Sequence, residues 1–289
     1  MLERPDWLGF RRFAAVTTAL TLSLITLGIY TAATGSGLAC QAQWPLCSNQ
    51  LIPALTINPD FIEWFHRVVA MITGLFILAT ALWAWRRGGA SVRPALLAVL
   101  LLPLQISIGA VTVTVNGLIP WGYQAPTHAA HLLVALSIFT LLVVTTLFAG
   151  RGDRRQRRLR WSQLGFAFAL LALLVSGLFS RGVPLLRDSP GAQAWFYAFS
   201  LVAFAALLAA FYWALHTDRV SRVLAAGALG TLFVSMLLGR DLVVYTATVQ
   251  RLNFGLYVLT VGLAAVGCWR LFTAETAADI RTLRREHSE

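Results

Sequence analysis

Three of the five histidines in this sequence lie inside strongly apolar stretches, where an imidazole is uncommon. They are His66, His128 and His131. A side chain that can ionise or bind a metal is costly inside a membrane span unless it faces a partner or a cofactor. His66 and His131 fall about 7 Å and about 6 Å from the predicted starts of their helices, so they would lie at a similar depth. Two imidazoles facing each other at one level commonly bind haem iron. The alternative is that each imidazole bonds the backbone of a neighbouring helix.

Two charged residues and one further histidine surround this pair. His128 lies three residues before His131 and competes with it for the ligand role. Glu63 lies three residues before His66 on the same helical face. Its carboxylate could do acid–base chemistry, orient the imidazole, take a proton from a substrate, or be a solvated charge at the start of the helix. Arg67 could contact haem propionates or extend its charged end to the membrane surface.

The loop predicted after the first helix contains Cys40 and Cys47, with six residues between them. On an oxidising outer side they could close a disulfide over a small loop and help to order a lid above a pocket. The alternative is a reactive thiol pair. Cys268, in the last apolar stretch, is interpreted as a small packing residue.

The elements that must position these residues are predicted to be membrane-spanning helices. The chain has 58% hydrophobic and 12% charged residues, with a mean hydropathy of +0.71, which is more apolar surface than a soluble chain of this length could bury. Apolar runs of about 20 residues are long enough to cross a bilayer. No signal cleavage site follows the first run, so it is interpreted as a retained helix. We therefore predict an all-α integral membrane protein with eight transmembrane helices, at about residues 13–33, 61–84, 95–115, 127–149, 161–180, 194–215, 223–240 and 251–272.

The basic residues, all of them arginine, predict the orientation. Of the 23, 18 fall at the ends and in one set of loops, and five fall at or near the opposite loops. The positive-inside rule then places both termini in the cytoplasm. A net charge of +11 could suggest nucleic acid, but cytoplasmic loops carry the same basic excess, so no nucleic-acid partner is expected. The five on the opposite side are Arg67, Arg181, Arg187, Arg240 and Arg251.

The arginine-rich segment 151–160 is predicted to be a basic cytoplasmic linker between two tandem four-helix bundles. These are the N-terminal half, 1–150, and the C-terminal half, 161–272, which is followed by a cytoplasmic tail, 273–289. A faint internal similarity favours parallel repeats. It pairs Trp64-Phe65-His66 with Trp195-Phe196-Tyr197 and Gly109 with Gly239.

Several motifs of the first half together resemble the haem A synthase family, membrane proteins that oxidise the C8 methyl group of haem O to the formyl group of haem A. The resemblance covers the first four helices closely, with the motifs in the family's order. They are Thr34-Gly-Ser-Gly, Cys40 and Cys47 around Trp44-Pro45-Leu46, Glu63-x-x-His66-Arg67, Gln105-x-x-x-Gly109 with Thr112, and Ala130-His131.

The resemblance implies a role for each of these residues. His66 and His131 would be the axial ligands of the substrate haem in the N-terminal half, and Glu63 the catalytic carboxylate. Cys40 and Cys47 would form a disulfide of the outer loop. The motif on the third helix, Gln105 with Gly109, would serve packing near the pocket and not chemistry.

The second half departs from the family pattern. Family members usually carry another histidine pair, on helices 6 and 8, that binds a haem b cofactor. Here the aligned positions hold Tyr197 and Asn253, while His216 and His287 lie outside both spans. Tyrosine can ligate haem iron, but asparagine is a poor ligand. The second haem b site is therefore predicted to be absent.

The resemblance implies a heme A synthase, an oxidoreductase that hydroxylates one methyl group of haem O in steps, for terminal oxidase assembly. We expect it in the plasma membrane of a prokaryote, in contact with the lipid bilayer, with the haem pocket toward the outer face. A haem O synthase and an electron donor protein are candidate partners. The alternative is a non-catalytic membrane haem-binding electron carrier or haem chaperone of the same fold. A small-molecule transporter is less favoured, because the spans lack helices broken at mid-membrane.

Overall fold

A computed structural model of the chain describes residues 9–41, 43–114, 124–150, 155–179, 189–215, 219–239 and 246–286. Over these residues it contains eight α-helices and a short 3₁₀ turn, Ser36–Leu38, and all eight helices are long and apolar enough to cross a membrane. This confirms the prediction of an all-α multi-pass membrane protein. The helices are α1 Phe10–Ala33, α2 Pro59–Arg87, α3 Val92–Thr114, α4 Gln124–Phe148, α5 Arg155–Leu178, α6 Pro190–Ala214, α7 Arg219–Leu238 and α8 Ala247–Glu286.

The first residues of the helices differ from the sequence prediction, and all of them differ in the same direction. Every helix begins two to six residues earlier than predicted, and the largest difference is at α5, which begins at Arg155 inside the predicted linker. Helix α8 continues through most of the predicted tail, to Glu286. Both corrections have one cause, since arginine is a good helix former but adds no hydropathy to a window. The side of the membrane on which each end lies stays a prediction. The described residues do not include Arg181, Arg187, Arg240, His216 or His287.

The chain divides into two compact units. One contains Met1–Arg151 together with Ser176–Ala198 and Leu237–Thr246, and the other contains Gly152–Val175, Phe199–Met236 and Ala247–Glu289. The predicted division into four helices before and four after the basic segment stays a prediction.

In the first unit, α1 to α4 form a closed bundle. Helix α1 packs against α2 and α4, and α3 packs against the same two helices. Threonine pairs link them, since Oγ1 of Thr17 lies 2.8 Å from that of Thr80 and Oγ1 of Thr18 lies 3.2 Å from that of Thr146. Small residues let the backbones approach closely, as is usual between membrane helices. They surround Phe10 and are Ala14, Ala81, Ala84, Ala95 and Ala149.

Local signals set the ends of α2, the helix that carries Glu63 and His66. The side chain of Asn58 caps its first turn by accepting from the backbone N–H of Phe61 at 2.8 Å, and Pro59 occupies the first helical position. Both are favoured at a helix start, because the first N–H groups have no partner inside the helix. The helix stops at Gly88, whose φ of 74° suits glycine.

In the second unit, neighbouring helices are joined by side-chain contacts in the cyclic order α5, α6, α7, α8 and back to α5. Three of these contacts are hydrogen bonds, which are modest in strength within membranes but fix which helix faces meet. The pairs are Ser162 Oγ with the carbonyl of Ala210 at 3.1 Å, the rings of Phe204 and Phe233 at 6.2 Å, Thr231 Oγ1 with Thr260 Oγ1 at 2.8 Å, and the hydroxyl of Tyr257 with the carbonyl of Leu173.

Candidate active site

The imidazole of His66 lies edge-on against a glycine of the preceding helix. A Cβ atom placed on Gly28 of α1 would lie 3.1 Å from Cε1 of His66 and 3.8 Å from each ring nitrogen. Only glycine therefore lets α1 approach the ring this closely. Nδ1 of His66 is buried and has no hydrogen-bond partner. A buried polar atom without a partner is uncommon and calls for an explanation, such as a site for a ligand.

The imidazole of His131 on α4 lies against a glycine of α3, as that of His66 on α2 lies against a glycine of α1. A Cβ atom on Gly109 of α3 would lie 3.1 Å from Cε1 of His131 and 3.6 Å from Nδ1. Nδ1 is again buried and without a partner. Nε2 lies 3.0 Å from the amide nitrogen of Gln105, which is on α3 one turn before Gly109. Gln105 thus contacts the candidate ligand directly, in addition to the packing expected of it.

The two histidines occupy matching places in their hairpins. His66 lies seven residues after Pro59, the first residue of α2, and His131 lies seven residues after Gln124, the first residue of α4. The imidazole of His66 interacts electrostatically with that of His131, which places them near each other in the bundle. Gln105 of the neighbouring helix α3 is a hydrogen-bond partner of His131, so the alternative that each imidazole bonds a neighbouring helix's backbone stays a prediction.

Glu63 is buried, with 3% of its surface exposed. One carboxylate oxygen accepts the backbone N–H of Cys40 at 2.6 Å, and the other pairs with the guanidinium of Arg67. The interpretation as a solvated charge at the helix start is therefore wrong. Among the described residues, the partners of the Glu63 carboxylate are Cys40 and Arg67, and His66 is not one of them. The carboxylate instead joins α2 to the loop.

Arg67 completes this attachment. Its guanidinium donates to the carbonyl of Gln43 at 2.5 Å and to that of Gln41 at 2.7 Å, in addition to its pair with Glu63. A planar guanidinium suits several acceptors at once. Arg67 therefore holds the loop in this structure, and its contact with a haem propionate stays a prediction.

The predicted disulfide is confirmed. Cys40 and Cys47 are bonded to each other and both are buried. The backbone of Cys47 also exchanges two hydrogen bonds with that of Gln50, at 2.8 and 2.9 Å. Glu63, Arg67 and this disulfide together define what we call the pinned loop, residues 40–50 with their attachment to α2.

His128 lies on α4 one turn before His131 and is half-buried. The two imidazoles interact electrostatically. A glycine of the preceding helix lies against His131, as one does against His66. The geometry therefore favours His131 as the partner of His66, and the choice between the two stays a prediction.

The structure also describes the two residues of this chain, Tyr197 and Asn253, that align with the family's second histidine pair. Tyr197 lies on α6, seven residues after Pro190, and is buried. Asn253 lies on α8, and its Oδ1 accepts the hydroxyl of Ser235 on α7 at 2.6 Å. The side chain of Asn253 is therefore used in a link between helices of the second unit.

The donor set fits a haem better than a bare metal ion. Among the described residues, no group of three or more His, Cys, Asp or Glu side chains is placed to hold an ion. Two imidazoles are enough for an iron that already has four porphyrin nitrogens. Buried Nδ1 atoms and glycines that leave room for the rings are the structural signs that the two histidines are set in fixed orientations. Sequence reasoning missed Gly28, because glycine is common in membrane helices and nothing in its surroundings marks it.

Fold and site together define a class, a multi-pass helical membrane protein with two intramembrane imidazoles near each other and a disulfide-closed loop attached beside one of them. The family model described as cytochrome oxidase assembly protein, COX15-CtaA, matches residues 56–274, which is more than half of the chain. The chain belongs to this family, as the resemblance in its motifs predicted.

Curated relatives narrow the comparison further. A Heme A synthase of Bacillus licheniformis is 34% identical over 146 residues, covering 49% of this chain and 46% of the relative. A Heme A synthase of Exiguobacterium is 33% identical over 174 residues, covering 57% and 55%. A Protoheme IX farnesyltransferase of Halobacterium salinarum is 39% identical over 150 residues, covering 49% of this chain and 31% of that protein. The chain spans about half the length of the Heme A synthases that it matches.

Proposed function

We propose that this chain is a heme A synthase, an oxidoreductase that converts the C8 methyl group of haem O into the formyl group of haem A by successive hydroxylations. The observation that carries the proposal is the pair His66 and His131, each set against a glycine in a chain of the COX15-CtaA family. Relatives named Heme A synthase support it.

Haem O would be bound as the substrate, with His66 and His131 as the two axial ligands of its iron. The iron and porphyrin supply the redox chemistry, and the protein supplies binding and orientation. Gly28 and Gly109 lie against the Cε1 edge of each imidazole and so limit its orientation. The pinned loop is attached to the first turns of α2 through Glu63 and Arg67. Glu63 is the proposed catalytic carboxylate, one helical turn before His66. Any movement of its carboxylate toward substrate would also loosen the loop that it holds.

We also propose that the second half holds no haem on a histidine pair. Its sequence places Tyr197 and Asn253 at the positions concerned. Asn253 is already bonded to Ser235, and an amide is a poor ligand for haem iron. Electrons would then reach the substrate by a route that does not use a second bis-histidine haem.

The proposed setting is a prokaryotic plasma membrane, with the haem pocket toward the outer face. A disulfide supports this side for the pinned loop, because disulfides persist where the surroundings are oxidising. A haem O synthase is a candidate partner, and similarity to a protein named Protoheme IX farnesyltransferase favours it. An electron donor protein would be the second partner.

The test is production of haem A. We expect that expressing the chain with a haem O synthase, followed by pigment extraction and mass analysis, gives haem A or the hydroxylated intermediate. Protein that is folded and loaded with haem while haem O persists unchanged would show that it is not a synthase.

The alternative function, a haem-binding electron carrier or chaperone, is motivated by the altered second half. The two proposals differ at Glu63. A synthase should lose product but keep its haem when Glu63→Gln is introduced. A carrier should keep both its haem content and its function.

A further inference from the structure

The two candidate ligands differ in what their ring nitrogens contact. Nε2 of His131 lies 3.0 Å from the side-chain nitrogen of Gln105, whereas the imidazole of His66 has no hydrogen-bond partner among the described residues. An amide nitrogen can only donate, so Nε2 of His131 accepts and its lone pair is in use. With the amide turned over, Nε2 would carry a proton instead. In both arrangements this nitrogen is closed to a metal until Gln105 moves away.

The other nitrogen of His131 offers no substitute. Nδ1 is buried, and it lies 3.6 Å from the Cβ position at Gly109 of α3, whereas Nε2 lies 4.0 Å from it. An iron inside a flat porphyrin needs open space on the side of the nitrogen that it binds. Nε2 is therefore the nitrogen through which His131 would ligate, and it is the one that Gln105 occupies.

We propose that Gln105 is a positioning residue that holds His131 whenever iron does not, so that His66 is the constant axial ligand and His131 the exchangeable one. This rests on the proposed function, because it takes the two histidines to share one haem. With the amide nitrogen as donor, Nε2 of His131 is already unprotonated. Exchange then moves its lone pair from an amide proton to iron, and no proton has to be transferred.

The second unit contains a bond of the same kind at the corresponding place. Aligning Gly109 with Gly239 places Ser235 where Gln105 lies, since each is four residues before its glycine. Ser235 donates to Asn253 at 2.6 Å, on the next helix, as Gln105 bonds the candidate ligand. Asparagine is a poor ligand for haem iron, and there the bond joins α7 and α8. The Ser235–Asn253 bond shows that a pair of helices of this kind can form such a link from its own side chains.

The strength of the link suits a ligand that must leave and return. Hydrogen bonds between membrane helices are weak, and removing one changes an equilibrium by about threefold to about twentyfold. Gln105 would therefore compete measurably with iron for His131 without preventing haem from binding. His66 meets no such competition.

The experiment is a titration of the detergent-purified full chain with ferric protoporphyrin IX, followed by absorbance and electron paramagnetic resonance. We expect Gln105→Leu to tighten binding by about threefold to about twentyfold and to raise the low-spin, six-coordinate fraction, because His131 no longer has another partner. Weaker binding would mean that Gln105 contacts the porphyrin, and an unchanged titration would mean that it does not compete. Either result overturns the proposal.

Two controls separate this effect from a general change in packing. Ser235→Ala removes the corresponding link in the second unit and should leave the titration unchanged. In a His131→Ala background, Gln105→Leu should have no effect on affinity, because its action requires the imidazole. An effect that persists there would overturn the proposal.

The same preparations separate this inference from the proposed function. If extracted pigment remains haem O while Gln105→Leu shifts the titration as expected, the synthase proposal fails and the ligand exchange stands. If haem A is formed and Gln105→Leu changes nothing, the synthase proposal stands and the ligand exchange fails.

Discussion

At the scale of the residue, the candidate site depends on two glycines that take part in no chemistry. Gly28 and Gly109 each allow a helix backbone to lie against the Cε1 edge of an imidazole, with space for no further atom at ordinary contact distance. Because membrane helices gain little from burying apolar surface, close packing of this kind is a main source of their order. Each glycine thereby limits the angles that its histidine ring can adopt.

We predict that Gly28→Ala weakens haem binding. The new methyl group would lie 3.1 Å from Cε1 of His66, so the ring or α1 must shift. Overpacking of this kind costs about 1–3 kcal/mol. If the whole cost falls on the orientation of His66 as a ligand, haem affinity falls by about fivefold to about a hundredfold. The measurement is a haem titration together with the absorbance spectrum. Gly74→Ala is the matched control on α2, because nothing lies within 4 Å of that position, and it should leave both readouts unchanged. A similar effect of the two substitutions would contradict the assignment.

At the scale of the element, α2 and the pinned loop behave as one piece. Glu63 and Arg67 lie one turn apart on either side of His66, and between them they bind the backbone of Cys40, Gln41 and Gln43. The loop is therefore attached to the helix at the level of the candidate ligand. Its attachment uses backbone atoms of the loop, so it tolerates changes in most of the loop's side chains.

We predict that Glu63→Ala loosens the loop as well as affecting catalysis. The substitution leaves the buried N–H of Cys40 without an acceptor and Arg67 without its carboxylate, a loss of about 1–3 kcal/mol. Hydrogen exchange across residues 40–50 should become about fivefold to about a hundredfold faster. Asp60→Asn is the control. Asp60 accepts a hydrogen bond from Ser48 of the loop, but the pair is exposed and should contribute little to the stability of the loop, so exchange should stay unchanged. Unchanged exchange in Glu63→Ala would show that the carboxylate does not hold the loop.

At the scale of the whole molecule, the sequence was sufficient to predict eight helices but not their ends. Each apolar run is long enough to cross a bilayer, and this signal is strong. The extensions of α5 back to Arg155 and of α8 to Glu286 lie beyond the apolar spans Arg160–Leu178 and Ala247–Arg270, where hydropathy carries no information about a helix. A helix can continue past the end of its apolar span, so the end of the span does not predict the end of the helix.

The site was predictable in part, and the difference lies in residue type. Histidine is rare in an apolar run, so His66 and His131 could be selected from the sequence. Gly28 could not, because whether a glycine lies against an imidazole depends on how α1 packs on α2. The acceptor role of Glu63 was equally hidden, since its partner is a backbone N–H that almost every residue carries.

The last prediction concerns how many haems the molecule holds. We expect at most one haem per chain, because the positions aligned with a second ligand pair are Tyr197 and Asn253, and Asn253 is bonded to Ser235. A pyridine haemochrome assay against protein concentration gives the ratio directly. His131→Ala should remove the haem or change its spectrum, and Asn253→Ala should do neither.

His128→Ala discriminates between the two histidines of α4. It should leave the haem content of the purified chain near the wild-type value, because the contacts with Gly109 and Gln105 are made by His131. Loss of haem in His128→Ala, with haem retained in His131→Ala, would move the ligand by one helical turn. A ratio of two haems per chain would instead show that the second half binds haem through residues other than a histidine pair, because its helices α5 to α8 contain no histidine.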